Sequence, residues 1–160
     1  MNLCDYNTIR DLLARHGLRP VVLERGGPVE QRVAAVEGFW RSGALDPSCN
    51  VQFGEGGAGT FSDGKLTTRI HDPLCGYVLD RFAAHGAPAE TLRKAKPHIG
   101  TDRLRAVVRS MREGILQNGG KVLFHSQMDG IAVKDGRLEG LTVNGQPMAA
   151  SSLILAVGHS

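Results

Sequence analysis

The stretch Arg19-Pro-Val-Val-Leu-Glu-Arg-Gly-Gly-Pro28 decides the fold. A short apolar run that ends in an acid reads as a buried parallel strand. Gly26-Gly27 turns the chain, and Pro28 suits the first position of a helix. In that helix Val29, Val33, Val36 and Trp40 share one face. Upstream, Asp5 or Asn7 caps a first helix whose inner side carries Tyr6, Ile9, Leu12, Leu13 and His16. Gly17 then takes the left-handed cap. A strand between two helices points to α/β organisation.

Working outward, Asp46 to Asp72 is irregular and glycine-rich, with Asn50–Phe53 as a candidate strand. Asp72-Pro73 opens a further element, with Val78, Leu79 and Phe82 on its inner side. The clearest helix runs from Thr101 to Asn118. Its apolar positions Leu104, Val107, Val108, Met111 and Ile115 follow helical spacing, and arginines 103, 105, 109 and 112 cover the other face. Gly119 ends it. The period then changes to two. Lys121–His125 reads as a strand. Ile131–Val133 and Leu138–Val143 are joined by Asp135-Gly136, and Asn144-Gly145 leads on to Pro147–Ala149. Both dipeptides favour the two-residue turn of a hairpin, so a three-stranded antiparallel meander is expected. Ser152–Gly158 is a final apolar strand.

Length and composition bound the rest. The 160 residues fit one domain, and 41 % hydrophobic with 22 % charged residues exclude a disordered chain. Glycine, at 21 residues, is about twice its usual share, without the period of collagen. Net charge is only +3, and the basic residues are scattered, so no nucleic-acid groove is indicated. Cys4, Cys49 and Cys75 form no Cys-x-x-Cys pair, which suggests neither zinc nor disulfides and fits a cytoplasmic protein. The run Leu153–Val157 is too short to span a membrane, and the N-terminus lacks a secretory leader. The six histidines have no metal spacing, and no metal site is expected. No G-x-S-x-G elbow is present, and no hydrolase triad or other catalytic residue can be assigned.

Three segments invite a nucleotide. Glu24, at the end of its strand, is where dinucleotide-binding folds place a ribose-binding acid; the plain alternative is a solvated loop residue. Gly54-Glu-Gly-Gly-Ala-Gly59 matches G-x-G-x-x-G, but Thr60-Phe-Ser-Asp-Gly-Lys65 is a poor helix start. The match is therefore a decoy for the phosphate fingerprint. Gly59–Leu66 nearly matches a P-loop, with Leu66 where the magnesium-binding hydroxyl belongs. The loop still lets a backbone approach a flat or phosphorylated ligand, and Phe53, Phe61 and Leu66 argue that it is packed.

Four segments together closely resemble a largely uncharacterised bacterial family of FAD-dependent dehydrogenases, related in fold to glutathione reductase. They are Val21–Gly26, Asn50–Leu66, Lys96–Asp102 and Leu153–Ser160. The resemblance implies a Rossmann-like FAD/NAD(P)-binding parallel sheet with the meander inserted, and FAD as cofactor. By position, Glu24 holds the adenosine ribose, and Arg25 and Arg32 lie near the adenosine and pyrophosphate. The backbones of Gly56, Gly57 and Gly59 approach the flavin, Met128 offers main-chain contacts to adenine, and Gly158 allows close passage of the cofactor. The substrate is an unspecified small molecule.

The chain departs from this pattern at both ends. The phosphate glycines belong about 20 residues before the ribose acid, where Met1, Leu3 and Tyr6 stand. The expectation is a partial FAD-binding domain, residues 1–160, lacking its first strand and its C-terminal portion. It should bind FAD weakly or not at all and be inactive alone. A cofactor-free binding or structural fragment is the alternative; a nucleotide or RNA binder is the third reading.

Overall fold

The computed structural model describes residues 11–61, 74–92 and 99–157. It is mixed α/β, with a parallel two-stranded sheet and a separate three-stranded antiparallel one. β1 (Val21–Leu23) pairs with β2 (Lys121–Leu123) in register Val21↔Lys121 to Leu23↔Leu123. The ladder continues past both strand ends. Lys121 N–H donates to Pro20 O (2.8 Å), and Ser126 N–H donates to Glu24 O (2.9 Å).

Helix α1 (Val29–Ser42) begins after Pro28 and ends at Gly43, whose φ of 74° sets the left-handed cap. Its buried stripe is Val29, Arg32 and Val36. The apolar pattern puts Trp40 on this face and passes over Arg32, although Arg32 stands three residues after Val29 and four before Val36. The structure reverses both, with Trp40 67 % exposed and Arg32 fully buried. Residues 11–15 are helical and Gly17 has φ 73°, as a left-handed cap requires. There too the face is corrected: Asp11 and Ala14 are buried, and Leu12 is exposed. Asp11 points inward because Arg81 pairs with it there.

Helix α2 (Leu74–Ala84) and helix α3 (Thr101–Gln117) build the core. Phe82, Ala87 and Ile99 pack with Leu104, Val107, Val108 and Met111, and Val78 closes the cluster. All five apolar positions expected for α3 are buried. α3 ends in a Schellman motif, with Gly119 N–H on Leu116 O and Gly120 N–H on Ile115 O, both 3.0 Å. A Cβ at Gly120 would sit 2.7 Å from Ile115 Cγ2 and 3.1 Å from Pro20 O. This glycine lets the chain turn directly from α3 into β2 beside β1.

The meander forms as expected: β3 (Met128–Lys134), β4 (Arg137–Val143) and β5 (Gln146–Ala149) in order β3-β4-β5. Both turns have two positive φ values, 50° and 72° at Asp135-Gly136, 49° and 73° at Asn144-Gly145. That is the twist a two-residue hairpin demands. Pro147 lies on edge strand β5, where a missing N–H is tolerated. Asn144 fastens the meander to the β2–β3 connection, its side chain accepting from Gln127 N–H (2.9 Å) and donating to His125 O (2.8 Å).

Two expected strands are absent. Asn50–Phe53 is bent, because the Asn50 side-chain oxygen captures the N–H groups of Gln52 (2.8 Å) and Phe53 (3.1 Å). A side chain that bonds its own following backbone makes a turn instead of a ladder. Residues 152–157 carry no regular structure and Val157 is 79 % exposed. An apolar run becomes a strand only beside a partner, and none pairs with it among the described residues. Gly158 lies outside the described residues, as does the near P-loop beyond Phe61 and the Asp72-Pro73 start. No helix among the described residues is long and apolar enough to cross a membrane.

Candidate functional site

The carboxyl end of β1 meets the start of α1, and the loop 46–61 folds over the junction. Gly26 and Gly54 make this possible. A Cβ on Gly26 would lie 2.5 Å from Gly54 Cα and 2.6 Å from Ser48 O, so two backbones cross in contact. The crossing is fastened by Glu55 N–H on Gly27 O (3.0 Å) and His125 N–H on Gly26 O (3.0 Å).

Glu24 sits at the strand end, half-buried, and Oε1 accepts the N–H of Gly26 at 2.7 Å. Its carboxylate therefore folds over its own turn. Arg25 is exposed; its guanidinium lies 4.9 Å from the Phe53 ring centre and donates weakly to Pro47 O at 3.4 Å.

Arg32 reaches from α1 into the middle of the loop. Nε donates to Asn50 O (3.0 Å), Nη2 to Val51 O (3.0 Å), and Nη1 to Gly54 O (3.2 Å), Gly57 O (2.9 Å) and Glu55 O. The Phe61 ring covers one face of the guanidinium at 4.7 Å, and Arg105 stacks on the same ring at 4.7 Å. Burial pushes the Arg32 pKa down to about 10, against the pull of Glu24, Cys49 and Glu55. At neutral pH it stays a cation. Gly54, Gly56 and Gly57 have φ of 112°, 85° and 65°, values that only glycine adopts cheaply. The segment Ala58–Phe61 is a 3-10 turn and not an α-helix, as the poor helix start after Gly59 implied. Within it the Thr60 hydroxyl is buried without a hydrogen-bond partner among the described residues.

The structure thus gathers Glu24, Arg25, Arg32, Gly56, Gly57 and Gly59 around one junction. Met128 begins β3, two residues past Ser126, whose N–H is bonded to Glu24 O. Of these residues, Arg25 is exposed and Glu24, Gly57 and Gly59 are half-buried, whereas Gly56 is buried against Thr60 and Val108, and Arg32 is buried with all three nitrogens bonded to backbone. Among the described residues no group of three or more His, Cys, Asp or Glu side chains is placed to hold a metal ion.

A second polar cluster has no counterpart in any sequence motif. Asp11 Oδ2 pairs with Arg81 Nε at 2.7 Å, and Asp11 Oδ1 lies 3.4 Å from His85 Nε2. His85 Nδ1 is 3.0 Å from Ser110 Oγ. The residue types are those of a hydrolase triad, but Ser110 is in the middle of α3. There the backbone N–H groups are spent on carbonyls one turn back, so no donors face the hydroxyl to receive an oxyanion. The cluster ties residues 11–15 to α2 and α3. Separations of 74 and 25 residues leave no motif to find.

No known protein-family profile matches the chain. It is 53 % identical over 148 residues to an uncharacterized protein of Clostridium beijerinckii (strain ATCC 51743 / NCIMB 8052); the match covers 92 % of this chain and 28 % of that relative. The chain therefore spans well under a third of the length of the curated protein it resembles.

Proposed function

We propose that this chain is a nucleotide-binding part of an FAD-dependent oxidoreductase, built on a Rossmann-like sheet of which β1 and β2 are a portion. The carrying observation is the junction itself. Two adjacent parallel strands end together, an acid stands at the carboxyl end of one, and a glycine-rich backbone is folded against that end. Open α/β sheets bind ligands in the crevice outside the carboxyl ends of their strands. Glu24 would accept the ribose hydroxyls, once its carboxylate releases Gly26 N–H. Gly56, Gly57 and Gly59 would let the cofactor lie close to backbone, and Met128 would stand beside the adenine. FAD, when bound, supplies the redox chemistry; the chain's residues bind and orient it.

The Clostridium beijerinckii relative tests the reading. Purified from cells, it should carry flavin visible in its absorption spectrum and released on denaturation. A colourless relative that takes up no added FAD would overturn the proposal.

A further inference from the structure

Arginines that serve phosphates keep the guanidinium fork open toward the ligand. Arg32 does not. It is wholly buried, and all three of its nitrogens donate to backbone carbonyls spread from Asn50 to Gly57. Of its five N–H donors, the one on Nε goes to Asn50 O, the two on Nη1 are shared among the carbonyls of Gly54, Glu55 and Gly57, and one of the two on Nη2 goes to Val51 O. Phe61 closes one face. At most one Nη2 N–H is left, and it belongs to a side chain with no exposed surface, so a ligand reaches it only if the loop opens.

The same bonds dictate the shape of the loop. Pointing the carbonyls of Gly54, Glu55 and Gly57 at one side chain requires sharp reversals of the backbone between them. The positive φ values of Gly54, Gly56 and Gly57 are those reversals. A Cβ at Gly54 would collide with Arg32 Cδ, so the loop and the arginine stem are also packed against each other. A lysine at this position presents one compact ammonium with three donors. It cannot reach carbonyls arrayed around a plane.

We infer that Arg32 is a positioning residue: it moulds the glycine loop from within and touches no ligand itself. That this matters for FAD rests on the nucleotide-binding reading above; that it shapes the loop does not.

Hydrogen exchange on the 160-residue chain, without nucleotide, gives the primary test. In Arg32→Ala and in the milder Arg32→Lys, amides of residues 50–60 should exchange at least about tenfold faster, while α3 keeps its protection. Methylguanidinium added to Arg32→Ala should restore the slow exchange with no FAD present, since the bonds it replaces are internal. Unchanged loop exchange in Arg32→Lys would overturn the inference, as would equal losses in loop and α3. Restoration that requires FAD would also overturn it, because Arg32 would then be a direct ligand. A loop that depends on Arg32 in a chain, and in a relative, that never bind FAD would support the moulding role and sink only the nucleotide reading.

Discussion

Glu55 and Arg112 meet at 2.8 Å, and the same Glu55 Oε2 accepts the backbone N–H of Val29, also at 2.8 Å. One carboxylate from the glycine loop thus caps the first turn of α1 and pins α3 to it. A negative group at a helix N-terminus is favoured by the exposed N–H groups and the helix dipole. Pro28, which precedes the helix, supplies no side-chain cap of its own. Glu55 is only 1 % exposed, so removing it strands the Val29 N–H with little access to water and takes one of the two carboxylates from Arg112. Glu55→Ala should therefore cost about 2–4 kcal/mol. Glu55→Gln should cost less, because an amide oxygen still accepts from Val29. Urea midpoints of the two variants check this; an alanine variant within about 0.5 kcal/mol of the parent would show that the clamp contributes nothing.

Arg112 also holds Glu30, with Nη2 2.6 Å from Oε1 and Nη1 3.2 Å from Oε2. The Arg112 hydrogen bonds hold the Glu30 carboxyl below its ordinary 4.5, against the opposing effect of burial. Burial alone would lower the Arg112 pKa, but Glu30 and Glu55 outweigh it and raise it. The sign for stability comes from Glu30. Its folded pKa is depressed, so its contribution is fully present above about 4.5 and fades as pH falls through the folded value. Glu30 is half-exposed and solvent screens the pair, so the effect is small. Glu30→Gln should flatten the acid limb of the stability–pH curve below pH 4.5 and leave the neutral plateau nearly level. Identical acid limbs in variant and parent would remove the pair from acid unfolding.

The cluster at Asp11 should behave as a structural clasp. Asp11→Ala leaves Arg81, whose side chain is 15 % exposed, without its carboxylate. A loss of about 2–4 kcal/mol is expected. Ser110→Ala removes one hydroxyl from His85 and should cost only about 1 kcal/mol. Thermal or urea unfolding ranks the two. A hydrolase reading predicts something else, namely an ester-cleaving activity in the parent that Ser110→Ala abolishes.

Legibility in the sequence tracks how local each feature is. The α3 stripe repeats within a single helix, and the hairpin turns are written in Asp135-Gly136 and Asn144-Gly145, so pattern alone places both. The partners of Arg32 lie 18 to 25 residues away, and they are backbone oxygens without sequence identity. A pattern that sorts residues by polarity puts such an arginine outside and Trp40 inside. Asp11 is misplaced for the same reason, its Arg81 partner being 70 residues distant. The run at residues 152–157 reads as a strand from its own composition, but pairing is decided by what lies alongside. Glu24 is legible as a position and not as a bond, since nothing in the sequence shows its carboxylate turned back onto Gly26.

That bond sets the last expectation. In this chain Glu24→Ala removes one charge-assisted acceptor from Gly26 N–H at a half-buried site. The loss should be about 0.5–1.5 kcal/mol in the denaturant midpoint, small because the β1–β2 ladder does not use the side chain. Its effect on FAD should be larger, because a ribose-binding acid makes charge-assisted bonds to two hydroxyls at once. The chimera to use places this chain in the matching 148 residues of the Clostridium beijerinckii relative. There Glu24→Ala should weaken FAD binding by about 10- to 100-fold, equivalent to one or two such bonds. Glu24→Asp keeps the charge but shortens the reach, and should fall between the two. Equal affinity in parent and Glu24→Ala chimeras would take Glu24 out of the site. The glycine loop would then remain as the contact to examine, and the likeness to a ribose-binding strand end would carry no functional weight.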